Sequence, residues 1–393
     1  MRIYQYIHDH RGGFASFVWL HIRFAFMMAS LSSSLRYLVP VLIAAYAVYY
    51  WYVFARLKYF TGDVDLKGKT VIITGGNSGI GKVTAQDLAL RGARVILACR
   101  NLKKSQDAAE EIKERTGNSE VVVRRLDLGN LQSVREFSSD IVATETRLDI
   151  LINNAGVADQ QVQNVSSTND NFDFVFGINH FGHFLLTNLL LDLLRKSAPS
   201  RVVTVSSIVH TFSPAELNLT RSDPNSAILY PHLESYFISK LANVLFAREL
   251  ARREASSGVV SVSLHPGVVY TPIWKTHMTV KSRLRGFVYY MLSPLMWLLF
   301  IDEEAGAQTT LHCALDDSVP DLSGSYFDNC QETKPSALAQ DDDLARRLWE
   351  VSCEATGLKC SKIKCSYICA QMMSLFKFCS SVRRGTGVKH DAR

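Results

Sequence analysis

Tyr236 and Lys240 stand four residues apart in SYFISK (235–240). On a helix, that spacing puts a phenol and an ammonium on one face, one turn apart. Such a pair can move a proton, but the same spacing occurs on ordinary helices and by itself decides little. An earlier stretch, TGGNSGIG (74–81), carries a more specific chemistry. Gly75 permits a sharp turn out of a strand, while Gly79 and Gly81 permit close backbone approach and tight helix packing. The free N–H groups where the helix begins, around Ile80, can hold a pyrophosphate, and Asn77 and Ser78 can add side-chain hydrogen bonds. A nucleotide triphosphatase is disfavoured, because Gly81-Lys82 is followed by Val83 and not by Ser or Thr.

Two further stretches would read the rest of a dinucleotide. An acidic residue at the end of the second strand would bind ribose hydroxyls and repel a 2′-phosphate. The sequence has ACRN (98–101) there, with Cys99 in the place of the acid and Arg100 next. A guanidinium suits a phosphate dianion, so NADP(H) is favoured over NAD(H). Asp127 can accept a hydrogen bond from an adenine amino group, or cap the next helix. In NNAG (153–156), Asn154, Ala155 and Gly156 end the fourth strand. Gly156 lets backbone approach a ribose, or serves the central sheet.

These residues need a scaffold, and the chain supplies one pattern repeatedly. Short β-branched runs at 70–74, 94–99, 121–128, 149–156, 201–207 and 260–267 alternate with longer helical stretches. Six strands with helical crossovers predict an α/β fold, a Rossmann-type doubly wound parallel sheet covered on both faces. That single domain spans 66–357, after a polar connector, GDVDLKGK. HPGVVYTPIW (265–274) follows the last strand.

The ends of the chain differ from this body. YLVPVLIAAYAVYYWYVF (37–54) is uncharged, nearly all apolar and rich in aromatics toward its end. At ~1.5 Å per residue it is long enough to cross a hydrocarbon core of about 30 Å. The expectation is a single-pass membrane protein with an N-terminal hydrophobic region over 1–60. Basic residues on both sides leave its orientation open. Gly13 to Leu31 reads as interfacial or as a weak second segment, and 286–301 as a buried helix, a lid or a surface dipping into the bilayer. The tail at 358–393 is Cys-rich, either membrane-associated or loosely ordered. Its cysteines lack Cys-x-x-Cys spacing, so no metal site is expected, and the scattered basic residues leave no footprint for nucleic acid.

TGGNSGIG, NNAG, Asn179 in GINHFGHFLLT, VSS (205–207) and Tyr236-x-x-x-Lys240 occur in that order. Together they resemble the classical short-chain dehydrogenase/reductases over 66–357. NHFGHFLLTNLLLDLL, SKLANVLFARELARR and ARRLWEVSCEATGL are similar to the retinol dehydrogenase branch, and also to the X-linked dehydrogenase/reductase member linked to polyprenol oxidation. The resemblance implies a catalytic tetrad of Asn179, Ser207, Tyr236 and Lys240. It selects Ser207, which would also bind substrate, over Ser206. It also implies that Pro266, Gly267, backbone at Val269 and the Thr271 hydroxyl, in HPGVVYTPIW, shape the loop over a nicotinamide. An insertion puts about 29 residues between Ser207 and Tyr236.

A free phenol has a pKa of about 10, and a neighbouring Lys240 ammonium is expected to lower it. Tyr236 would then be the acid in carbonyl reduction and the base in alcohol oxidation. Ser207 would hold the substrate oxygen. Lys240 would also hold the nicotinamide ribose, and Asn179 would anchor a water that relays protons to Lys240. The implied activity is NADP(H)-dependent interconversion of a lipophilic alcohol and its carbonyl, retinol and retinal first, in the endoplasmic reticulum membrane. A polyprenol, a steroid or a fatty aldehyde is the alternative substrate, and a dinucleotide-binding scaffold the alternative outside catalysis. Membrane lipid is the expected surroundings, and oligomerisation is left open.

Overall fold

The structure is a computed structural model that describes residues 33–158, 167–214, 232–269 and 300–359. The stretch Gly13 to Leu31, Thr271, most of the insertion after Ser207, the run at 286–301 up to Phe300, and the tail from 360 lie outside the described residues.

The expected parallel sheet is present and longer than six strands. Its order is β3-β2-β1-β4-β5-β6-β7-β8. The strands are β1 Thr70–Thr74, β2 Arg94–Cys99, β3 Val121–Arg125, β4 Ile150–Asn153, β5 Ser200–Val205, β6 Val259–His265, β7 Tyr326–Asp328 and β8 Gln331–Glu332. The first seven are parallel, and β8 returns antiparallel on β7. The last two are three and two residues long. Runs that short carry no periodicity to read. β3 stops earlier than expected: the Leu126 N–H still reaches the Cys99 carbonyl (3.0 Å), and the chain then turns under Asp127.

Strand period sorts the core into two layers. Val71, Ile73, Val95 and Leu97 face one side, against α2 (Gly79–Leu90), α3 (Leu102–Thr116) and α7 (Glu303–Leu315). Ile72, Ile96, Leu151 and Val202 face the other, against α4 (Leu131–Thr144), α5 (Phe174–Lys196) and α6 (His232–Arg253). α8 (Asp342–Thr356) closes this second layer, with Trp349 stacked on Phe246 at 5.8 Å. α5 widens into a π-helical turn at Gly177–Gly182.

The expected span forms helix α1, Ser33–Phe54. It presents Val41, Leu42, Val48 and Trp51 outward, each more than half exposed. Among the described residues, α5 is long and apolar enough to cross a membrane, but it is almost wholly buried in the protein, as a core helix requires. The connector after α1 is docked rather than free. The Lys58 N–H donates to Asn329 (2.8 Å), the Phe60 N–H to Gln308 (3.1 Å), and Arg91 donates to the Gly62 carbonyl (2.6 Å).

Burial holds His180, His183 and His265 neutral, lowered to about 3, about 4 and about 4. Unfolded, each would take up a proton near pH ~6.5. Their contribution to stability is therefore complete above that pH and is lost as the pH falls toward about 4, because the unfolded chain binds protons that the folded one refuses. Melting temperature should be flat from pH ~8 to ~7 and decline from ~6.5 to ~5, above the range where carboxylates titrate. A melting temperature that stays level down to pH ~5 would contradict this account.

Candidate active site

The strand order reverses between β1 and β4, which opens a crevice at their C-terminal ends. The glycine turn and the NNAG loop form its two lips. Gly75 has φ +67°, in the left-handed region that favours glycine. A Cβ on Gly81 would lie 2.4 Å from Asn154 Nδ2 and 2.7 Å from the Gly75 carbonyl oxygen, so only glycine lets α2 start this close. Ser78 precedes α2 in extended backbone, and its hydroxyl makes no cap bond. Asn77 Nδ2 donates to Ser105 Oγ (3.0 Å) at the start of α3, which fixes the side chain at the turn. Ile80 packs on the cluster of Val269, Ile301 and Ala305, joining the turn to the loop after β6.

Thr74, the last residue of β1, holds the second lip in place. Its hydroxyl oxygen accepts the N–H groups of Asn154 and Ala155, both at 2.9 Å. Asn154 Nδ2 donates back to the Thr74 carbonyl (2.8 Å). Gly156 then forms a bare wall: a Cβ there would stand 3.5 Å from both Asn179 Oδ1 and Lys240 Nζ.

The structure brings Asn179 and Lys240 to this wall, with Tyr236 one turn before Lys240 on α6. Asn179 is fully buried in the π-helical turn of α5. Its Oδ1 accepts the Val157 N–H (2.8 Å), and its Nδ2 donates to the Val157 carbonyl (2.9 Å) and to Ser239 Oγ (3.0 Å). The Asn179 side chain thus ties the loop after NNAG to α6. Lys240 reaches from α6 to the Val205 carbonyl (3.2 Å), and its Nζ lies 5.6 Å from the Tyr236 ring centroid.

The two serines of VSS part company. Ser206 is buried and donates to the Lys240 carbonyl (2.6 Å). Ser207 caps the 3-10 turn Ile208–Phe212, accepting the Val209 N–H (3.4 Å), and it is the one neighbour that lowers the Tyr236 pKa.

The expected lowering of the Tyr236 pKa is not found. Burial pushes the phenol up to about 12, and the Ser207 hydrogen bond offsets only part of this. Burial also lowers Lys240, to about 8. Both shifts have one cause: a site poor in water disfavours either charge.

The remaining expected residues line the same edge. Cys99 is a buried free thiol beneath the glycine turn, where burial raises its pKa, so no anion stands at the end of β2. Arg100 is exposed beside it. Asp127 Oδ1 accepts the Gly129 N–H (3.0 Å), while Asn130, not Asp127, caps α4. Pro266 and Gly267 follow β6, and Val269 bridges to Ile301. His265, at the end of β6, keeps a buried Nδ1 with no hydrogen-bond partner among the described residues. Thr74, His183, Ser239 and His265 were not singled out from sequence. Thr74 and His183 sit inside motifs that were quoted, but no local spacing says that they meet across 109 positions.

The residues fit a dinucleotide. A glycine turn opens an α-helix, an unbonded Ser78 hydroxyl stands at that helix's start, and a side-chain-free wall runs past Gly156 to Lys240. Comparison with known proteins agrees. The short chain dehydrogenase family matches residues 69–218. The chain is 44% identical over 300 residues to retinol dehydrogenase 11 of Homo sapiens, covering 76% of this chain and 89% of that protein. It is 45% identical over 309 residues to retinol dehydrogenase 12 of Mus musculus (77% and 92%). It is 43% identical over 320 residues to dehydrogenase/reductase SDR family member 13 of Bos taurus (81% and 81%). Among solved structures, an uncharacterised protein from Mycobacterium paratuberculosis is 34% identical with a TM-score of 0.58, covering 77% of this chain and 98% of its own. L-sorbose reductase from Gluconobacter frateurii, solved with NADPH and L-sorbose, shares the fold at 22% identity and a TM-score of 0.54 (68% and 96%).

The two serines should separate by experiment. Ser206→Ala removes a buried donor and should cost about 1 kcal/mol of stability in denaturant unfolding. Ser207→Ala loses only the long 3.4 Å cap of a half-exposed 3-10 turn and should cost less, about 0.5 kcal/mol. The reverse ranking would undo the assignment of the buried role to Ser206.

Proposed function

The chain belongs to the short-chain dehydrogenase/reductase family of oxidoreductases, and on that premise we propose that it uses NADP(H) to interconvert a lipophilic alcohol and its carbonyl, with retinol and retinal as the pair. One observation carries the reading: Lys240 Nζ stands beside the bare Gly156 wall with Asn179, and it lies 5.6 Å from the centroid of the Tyr236 ring. Similarity of about 44% to retinol dehydrogenases supports the substrate class. The exposed apolar helix α1 supports a membrane anchor, where such a substrate partitions. The endoplasmic reticulum is the membrane we assign to it.

NADP(H) would sit with its pyrophosphate at the start of α2 and its nicotinamide ribose near Lys240. When bound, it supplies or takes the hydride. The phosphate preference rests on a neutral Cys99 and on Arg100 at the end of β2, where a carboxylate would repel a 2′-phosphate.

The chain's own residues do the proton chemistry. In reduction, Ser207 holds the carbonyl oxygen and Tyr236 donates its proton as charge develops there. A phenol at about 12 keeps its proton at neutral pH and releases it only to a strongly basic oxygen. Lys240, largely cationic below about 8, stabilises the phenolate that forms. Asn179 holds Val157 and, through Ser239, the Tyr236 turn, so the acid and the wall keep their spacing.

Protein kept in detergent or membranes should reduce all-trans-retinal with NADPH. Tyr236→Phe should cut kcat by about 10³-fold or more while NADPH still binds. A mutant that keeps most of its rate overturns the mechanism. Tight NADPH binding without turnover of any carbonyl in a panel points to the scaffold reading.

A second test uses pH. Lys240 loses its charge as the pH rises through about 8, while Tyr236 stays protonated to about 12. The kcat/KM for reduction should therefore decline above about pH 8. Lys240→Arg, whose guanidinium does not titrate there, should be slower but lack that decline. An unchanged alkaline limb in this variant assigns the limb to another group.

A further inference from the structure

His183 lies one turn beyond Asn179 on α5 and is buried. Its Nδ1 is 3.0 Å from the Asn179 carbonyl oxygen, and its Nε2 is 2.9 Å from Thr74 Oγ1. A carbonyl only accepts, so Nδ1 carries the proton. Nε2 is then a bare lone pair, and the Thr74 hydroxyl donates to it. The Thr74 oxygen meanwhile accepts the Asn154 and Ala155 N–H groups. One tautomer thus satisfies both ring nitrogens.

The chain of bonds continues past Asn179. Asn179 Nδ2 donates to Ser239 Oγ (3.0 Å), and Ser239 donates to the Tyr236 carbonyl (2.8 Å). Thr74, His183, Asn179, Ser239 and Tyr236 form one buried line from the glycine turn to the helix that carries the acid. The π-helical turn disturbs the α-helical ladder at Asn179, and the His183 ring occupies the carbonyl there. Gly182 lets this turn approach, since a Cβ on it would stand 2.5 Å from the Leu128 carbonyl oxygen.

We propose that His183 is a positioning residue for the reaction: its neutral ring locks the Asn179 carbonyl to Thr74, so that the cofactor turn, the NNAG lip and the Tyr236 helix move as one unit. The proposal rests on the dehydrogenase reading for its rate effects, but not for its effects on the cofactor-free protein.

The test uses the full chain in detergent, with His183→Leu, His183→Asn and His183→Gln. The Asn carboxamide can still donate to the Asn179 carbonyl from the Nδ1 position. The Gln carboxamide reaches toward Thr74 instead. Hydrogen exchange without cofactor, NADPH dissociation constants, and kcat and KM are measured for each. In His183→Leu, the amides of 154–157 should exchange about tenfold faster or more, because their lock is gone. NADPH should bind about fivefold more weakly, and kcat should fall about tenfold with the carbonyl KM within about twofold. His183→Asn should recover most of the kcat, and His183→Gln should not. If His183→Leu fails to fold, the contrast between the Asn and Gln variants decides. Wild-type kcat in His183→Gln, or losses in all three that simply follow melting temperature, overturns the proposal. Should the parent bind NADPH yet reduce no carbonyl, the catalytic reading fails on its own. Exchange and NADPH binding still decide the role of His183.

Discussion

The reversal of strand order between β1 and β4 is the constraint on which the site depends. Helices leave the two strand ends toward opposite faces, so no connection covers the gap between them. Into that gap the chain brings a glycine turn, a loop whose Gly156 has no side chain, and groups from α5 and α6. The Thr74 hydroxyl makes the gap rigid, because it accepts two N–H groups of the facing loop. A buried loop must satisfy its backbone polar groups, and here one side chain of the neighbouring strand satisfies two of them.

Several ion pairs of the described residues lie at the opposite end of the sheet from this crevice. Asp149, before β4, pairs with Lys69 and Arg147. Glu145 pairs with Arg94 at the start of β2, and Glu254 with Arg195 before β5 and β6. These pairs lie at the N-terminal ends of the strands. At the C-terminal ends, among the described residues, Asn179, Ser207, Tyr236 and Lys240 meet without an ion pair. Burial therefore acts on Tyr236 and Lys240 unopposed by a carboxylate, raising one and lowering the other. The Asp149 carboxyl, with its cations beside it, is instead held below the usual range despite burial. Local partners, not residue type, separate structural charge from reactive polarity.

Two helices show what apolar composition leaves undecided. α1 and α5 are both long and largely apolar. α5 carries Asn179, His180 and His183, each of which finds a partner inside the protein. α1 instead turns large apolar side chains outward, next to a connector pinned to the body by Asn329 and Gln308.

The sequence by itself determined the sheet and most of the candidate site. β-branched runs such as TVIIT cannot be solvated on either face, and TGGNSGIG fits only a strand-to-helix turn, so β1, β2 and the glycine loop were legible to the residue. Asn179, Tyr236 and Lys240 were legible as an ordered set, and the fold does bring them together. Tertiary structure alone decided the rest. It separated Ser206 from Ser207, because adjacent residues in extended backbone point to opposite sides. It reversed the sign expected for the Tyr236 pKa, because desolvation depends on every neighbour and not on the one four residues away. It joined His183 to Thr74 across the chain, since a hydrogen bond between distant positions exists only once the sheet has set the distance between them.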